Sequence, residues 1–269
     1  MTRYVLSALL LAGSLCAQQS QQVQPWARER LDKSSRHAEW VTVKHDGRSL
    51  DAFVVYPEVK EKAPVVLVIH EIFGMSDWVQ LMADELAAAG YVAIAPDLLS
   101  GMGPNGGGTK SFAPGEVGQA INRLPPDQIT ADLNASADWA LKQVASNGRL
   151  FVAGFCYGGT QTFRYATNRP DLKGAFVFYG SAPPPEAIAK IQAPVYGFYA
   201  EMDNRITGGI PDAQEKMKAA GKTYEPVVYA GAGHGFMRSG DDPAGTPANV
   251  KARNDAFERL TRLLKQLNR

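Results

Sequence analysis

Four short runs of uninterrupted apolar residues constrain this chain most: VVLVI at 65–69, YVAIA at 91–95, LFVAG at 150–154 and AFVFY at 175–179. A strand with one wet face alternates apolar and polar residues, so runs that are apolar throughout suit parallel strands covered by helices on both sides. Stretches with apolar residues at three- and four-residue spacing lie among them, at 77–90, 126–145 and 159–170, and read as helices. Gly90 and Pro170 supply stop signals for two of these. A strand at 195–201, a helix at 211–221, a strand at 224–230 and a helix at 248–267 continue the alternation. Residues 38–44 and 50–56, on either side of HDGRS, read as an antiparallel hairpin in front of it. The pattern predicts an α/β fold, a doubly wound, mostly parallel sheet with helices on both faces. The glycine-rich stretch 98–118 interrupts the alternation as a long loop, of the kind that often forms a lid or pocket wall.

The 269 residues are enough for one large core, and a single domain over 38–269 is expected. Lys and Arg total 28 against 27 Asp and Glu, a net charge of +1, which carries no electrostatic footprint for nucleic acid. The expected partner is a small molecule, and the expected oligomeric state a monomer. At the start, Arg3, the apolar stretch from Tyr4 to Leu15 and the polar residues after it follow a signal-peptide plan over 1–17, with 18–37 as a linker. The apolar stretch is too short to span a bilayer, which takes about 20 residues. A secreted or periplasmic protein is expected. Lipid anchoring at Cys16 is the alternative, set against by the large Leu15 where lipoprotein signals prefer a small residue. Cleavage leaves Cys156 as the sole cysteine, so no intramolecular disulfide is available.

Free thiols are most often buried and structural. The setting of Cys156 argues otherwise. The sequence Gly154-Phe155-Cys156-Tyr157-Gly158 follows a strand and opens a helix, fitting the G-x-nucleophile-x-G elbow with cysteine in the usual place of serine. A helix start also favours a thiolate through the helix dipole. Downstream, in the chain order such sites require, Asp203 follows the strand VYGFYAE and His234 follows the strand YEPVVYA in the small-residue loop GAGHGF. Either residue alone reads as an ordinary turn or loop residue; three suitable types at three strand ends, in order, read as a nucleophile–acid–base set. His37 and His45 flank the hairpin and read as surface residues.

These residues resemble the dienelactone hydrolase family of α/β-hydrolases, together with VVLVIHEIFG at 65–74, YVAIAPDL at 91–98, YAEMDNRI at 199–206 and GAGHGFMRSG at 231–240. The resemblance spans most of residues 50–268. It implies a Cys156, Asp203 and His234 triad with a fourth participant, Glu71, beside the thiol. From the residues alone, Glu71 ends an apolar strand and either faces a cleft or holds the loop. In this fold the residue after the nucleophile and one from the third-strand loop supply the oxyanion donors, here the backbone N–H groups of Tyr157 and Ile72. Family members carry two arginines for the substrate carboxylate. Arg238 matches one, whereas Leu99-Ser100-Gly101 follows PDL where the second belongs. A broader ester, lactone or thioester substrate is therefore expected.

No cofactor or metal is implied. Gly101 to Gly106 matches G-x-G-x-x-G, but Gly107 and Gly108 stand where a helix would begin; GGGTKS has Thr109 between Gly108 and Lys110; and His70-Glu71 has Gly74 at the second-histidine position of a zinc-protease motif. The leading expectation is a secreted hydrolase that cleaves an ester or lactone through an acyl-cysteine. The alternatives are a thioesterase, an esterase of polymer fragments, a non-catalytic small-molecule binder and a thiol redox sensor. The intact triad weighs against the binder, and the lack of a resolving cysteine against the sensor.

Overall fold

The computed structural model describes residues 23–113 and 115–269. The expected signal segment and Cys16 lie outside the described residues. Eight strands form one sheet in the order β1-β2-β4-β3-β5-β6-β7-β8. They are β1 (Ala38–His45), β2 (Arg48–Val55), β3 (Ala63–Ile69), β4 (Val92–Pro96), β5 (Ser146–Phe155), β6 (Gly174–Phe178), β7 (Val195–Ala200) and β8 (Tyr224–Tyr229). The β1–β2 and β2–β4 pairings are antiparallel and the others parallel. The hairpin closes on Asp46 (φ 44°) and Gly47 (φ 75°), a two-residue turn whose positive φ values match the twist of its strands.

All seven residues of β3 are buried, and alternate side chains go to opposite faces. Val66 and Val68 join one cluster, with Trp78, Met82 and Leu86 of helix α2 (Asp77–Ala88) and Leu260 and Leu264 of helix α10 (Pro247–Leu267). Val65, Leu67 and Ile69 join the other, with Ile129, Leu133 and Ala137 of helix α4 (Pro126–Leu141). Burying each such side chain is worth about 1.5–3 kcal/mol, which is why the runs are apolar at every position. At the far edge β8 is half exposed and carries Pro226, a residue suited to an edge strand because it lacks a donor.

Part of the expected 18–37 linker is structured. Helix α1 (Pro25–Asp32) starts with proline at its first position and buries Ala27. Arg28 holds Asp77 at 2.8 Å, so α1 lies against the start of α2. Charged contacts join Trp26, Ala27 and Leu31, which pack on the core, in fixing this helix, and eight residues are too few for their apolar spacing to stand out. Short helices α3 (Val117–Asn122), α6 (Pro185–Ile188), α7 (Asn204–Thr207) and α9 (Phe236–Asp241) also arise in stretches where the sequence pattern predicts no helix. The remaining helices are α5 (Tyr157–Tyr165) and α8 (Ile210–Ala219).

Candidate active site

The carboxyl ends of the parallel strands position the site. Cys156 sits between β5 and α5 with φ 57° and ψ −112°, a backbone state costing on the order of 1–3 kcal/mol outside glycine. Its N–H donates to Phe178 O at 3.0 Å, which ties the turn to the end of β6. The flanking glycines answer to contact distances. A Cβ on Gly154 would stand 2.2 Å from Gly158 O, and one on Gly158 would stand 2.1 Å from Ile69 O. Only bare backbone lets β3, β5 and α5 meet this closely.

The backbone N–H groups of Ile72 and Tyr157 face the thiol sulfur and favour its charged form. Among the described residues it makes no hydrogen bond to His234. Burial and the charge of Glu71 push the thiol up to about 11, against the weaker opposing effects of those two N–H groups and of Arg205. The expectation that the helix start favours a thiolate is therefore corrected for the free protein. Desolvation and a neighbouring carboxylate outweigh it, and the sulfur carries its proton at neutral pH.

His234 and Asp203 meet across two loops, with Nδ1 of His234 at 2.5 Å from Oδ2 of Asp203. Asp203 follows β7 and its backbone carbonyl accepts from Ile206 and Thr207 in the first turn of α7. The imidazole is held between Gly233 and the left-handed Gly235 (φ 76°), and the ring of Tyr179 packs edge-on against it at 5.0 Å. Glu71 is buried, and its Oε2 accepts from Nε of Arg238 at 2.7 Å. The Arg238 guanidinium also lies 5.1 Å from the Phe73 ring centroid. Cys156, Glu71, Ile72, Tyr157, Asp203, His234 and Arg238 thus share one region.

Two neighbours lie outside the expected set, His70 having been read only as half of an incomplete zinc motif. His70 is fully buried; its Nδ1 lies 2.8 Å from Glu71 O, and Leu98 N–H reaches its Nε2 at 3.4 Å. An acceptor at Nε2 leaves the proton on Nδ1 for the Glu71 carbonyl, and burial lowers the pKa of the ring. The histidine fixes the backbone that carries the glutamate. Tyr179 is the other. A histidine before HEIFG's glutamate was a visible signal, whereas nothing in FYG marks the tyrosine. His45, expected at the surface, is instead mostly buried and lies 2.7 Å from Asp132 Oδ1, a carboxylate it shares with Arg48. The hairpin packs on α4 there, so its end is not free.

The long loop is clamped. Thr109 donates its N–H and hydroxyl to Asp97 at 2.7 and 2.6 Å, and its oxygen accepts from Met75 N–H at 3.2 Å. Thr109, Lys110 and Phe112 instead line a cavity of about 690 Å³ with Trp40, Phe53 and Met75. None of the seven site residues lines it. Among the described residues, no group of three or more His, Cys, Asp or Glu is placed to hold a metal ion. No helix among them is long and apolar enough to cross a membrane.

The dienelactone hydrolase family matches residues 50–268. The chain belongs to the dienelactone hydrolase family. A Salmonella typhi protein with the provisional name carboxymethylenebutenolidase is 33% identical over 210 residues, 72% of this chain and 76% of that protein. One of the same provisional name from Methylorubrum extorquens is 31% identical over 242 residues, 84% of this chain and 82% of that protein. The crystal structure of a provisionally named dienelactone hydrolase from Klebsiella pneumoniae superposes with a TM-score of 0.75 at 26% identity, covering 87% of this chain and all of the other. As a dienelactone hydrolase family member with the α/β-hydrolase fold, the protein is a hydrolase of the carboxylic ester and lactone class.

Proposed function

We propose that this protein hydrolyses a carboxylic ester or lactone through an acyl-cysteine formed on Cys156, with His234 and Asp203 completing a triad. The observation that carries the reading is the 2.5 Å contact between His234 and Asp203 in the same region as a cysteine held at positive φ on the elbow. Asp203 on Nδ1 orients the imidazole and leaves Nε2 for proton transfer.

In the resting arrangement the Ile72 and Tyr157 N–H groups face the sulfur, and they are the two donors a carbonyl oxygen would need. Sulfur and substrate oxygen compete for them, so binding moves the thiol aside and the donors pass to the oxyanion. The thiol proton goes to Glu71 and on to His234, which leaves a thiolate beside an imidazolium. The thiolate attacks the carbonyl carbon, the bond to the leaving oxygen breaks, and the imidazolium protonates that oxygen. Neutral His234 then takes a proton from water, the hydroxide attacks the thioester, and the acid departs as sulfur recovers its electron pair and then its proton. Arg238 uses Nε on Glu71; its Nη atoms have no hydrogen-bond partner among the described residues and are suited to a substrate carboxylate.

Cys156→Ala is expected to abolish turnover of lactones, aryl esters and thioesters alike in a screen of purified protein. The fold should remain intact. Retained hydrolysis by the alanine variant would remove Cys156 from the reaction.

A further inference from the structure

Tyr179 stands one residue past β6 and combines three features. Its backbone has φ 40°, a left-handed value at a bulky aromatic residue, where such a conformation is rare and clusters at functional sites. Its side chain is 1% exposed, and its hydroxyl has no hydrogen-bond partner among the described residues. Its ring lies edge-on to His234 at 5.0 Å and to Phe236 at 5.3 Å. A fold that needed only an apolar filler here would use phenylalanine, which brings the same ring without an orphan donor. The strained backbone is fixed by Tyr179 N–H donating to Phe198 O at 2.8 Å, while the preceding carbonyl, Phe178 O, receives the Cys156 N–H.

Charged and titratable groups of several packed elements act on the hydroxyl through space, and the Cys156 N–H on Phe178 O brings the elbow to within one residue of Tyr179. Glu71 approaches from the loop after β3, Cys156 from the elbow, and Arg238 and Asp241 from α9; His234 packs on the ring. Charge moves among these groups in the reading given above, on which this inference rests. In the resting protein the anion is Glu71, already satisfied by Arg238 at 2.7 Å. After the thiol gives up its proton, the anion is sulfur, and a donor is needed that does not also serve the substrate oxygen.

We propose that Tyr179 is a positioning residue whose hydroxyl is held in reserve as the hydrogen-bond donor to the Cys156 thiolate. It donates a hydrogen bond and keeps its own proton, so the proton balance of the reaction is unchanged. The backbone strain at residue 179 aims the ring under the elbow, and the missing partner in the resting state is the anion that has not yet formed.

The test is the pH dependence of iodoacetamide alkylation at Cys156 in the full chain, read by peptide mass analysis so that Cys16 is counted separately. Tyr179→Phe should raise the midpoint of thiolate formation by about one pH unit, a tenfold weaker ionisation. It should also slow the acylation burst about tenfold, with the melting temperature unchanged or higher. An unchanged midpoint and burst would overturn the proposal and leave Tyr179 as packing. If the phenylalanine variant does not fold, fluorotyrosine at 179 keeps the ring and makes the hydroxyl a stronger donor. The midpoint should then fall, and an unmoved one overturns the assignment. The midpoint is measured without turnover, so it separates failure of this proposal from failure of the acyl-cysteine reading, which Cys156→Ala decides.

Discussion

Cys156 is held as a neutral thiol at rest. A thiol pushed up to about 11 by burial and by Glu71 should be alkylated slowly at pH 7–8, and ever faster as the pH climbs toward that value. Glu71→Gln removes the neighbouring negative charge and so should lower the midpoint of the alkylation curve, making the resting thiol more reactive. The same change takes away the proton acceptor and should slow acylation by roughly 10²–10⁴-fold. Opposite movements of the two rates are the mark of this arrangement. If both fell together, Glu71 would be acting only as a structural carboxylate. The linkage to stability has a definite sign as well. Because the folded thiol binds its proton more tightly than an unfolded one, its contribution is complete below about pH 9 and declines as the pH rises toward 11.

The elbow works because three elements touch with no side chain between them. A Cβ on Gly158 would meet Ile69 O at 2.1 Å, and one on Gly159 would meet Phe178 O at 2.2 Å. Gly158→Ala should therefore cost about 1–3 kcal/mol by overpacking and misplace the thiol, so that specific activity per folded molecule falls along with the denaturation midpoint. Unaltered activity in the folded fraction would show that the elbow tolerates a methyl group. This is also where sequence reading succeeds and where it stops. Glycine spacing around Cys156, continuous apolar runs and strand-end positions of Asp203 and His234 are written in residue type, and the β3, β5 and β6 positions follow within a few residues. Ile72 and Tyr157 were assigned through the fold resemblance, because backbone donors leave no side-chain signature. Tyr179 and α1 were not legible. The former depends on a φ angle, the latter on partners some 50 residues away in sequence, such as the Arg28–Asp77 pair. The clamped state of the 98–118 loop likewise hangs on one threonine reaching Asp97, a contact that glycine-rich composition conceals.

At the scale of the whole molecule, a charged cluster links four helices. Asp241, at the end of α9, accepts from Trp78 Nε1 of α2 at 2.9 Å and lies 2.7 Å from Arg253 of α10 and 3.3 Å from Arg30 of α1. Arg30 and Arg253 also both hold Glu85 of α2. The Asp241 side chain is 5% exposed. Removing its charge leaves both guanidinium groups, one of them half in water, to Glu85 alone, at a cost of about 2 kcal/mol. Asp241→Asn should lower the melting temperature by roughly 4–8 °C for a chain of this size. A shift under a degree or two would mean that the cluster is solvated decoration. Arg238 lies on the same short helix, so loosening α9 should also weaken its hold on Glu71.

Helix α1 occupies residues 25–32, ahead of the 50–268 span that matches the dienelactone hydrolase family. The span that the family model matches is thus smaller than the packed unit. Moved between relatives as a cassette, residues 50–268 would carry Asp77 and Asp84 without Arg28 and Arg36, the arginines paired with them here, and Asp241 with Arg253 but without Arg30. A graft that keeps every residue of the catalytic loops would inherit a charge imbalance on the helix beside them, and compensating it would mean transplanting the amino-terminal helix as well.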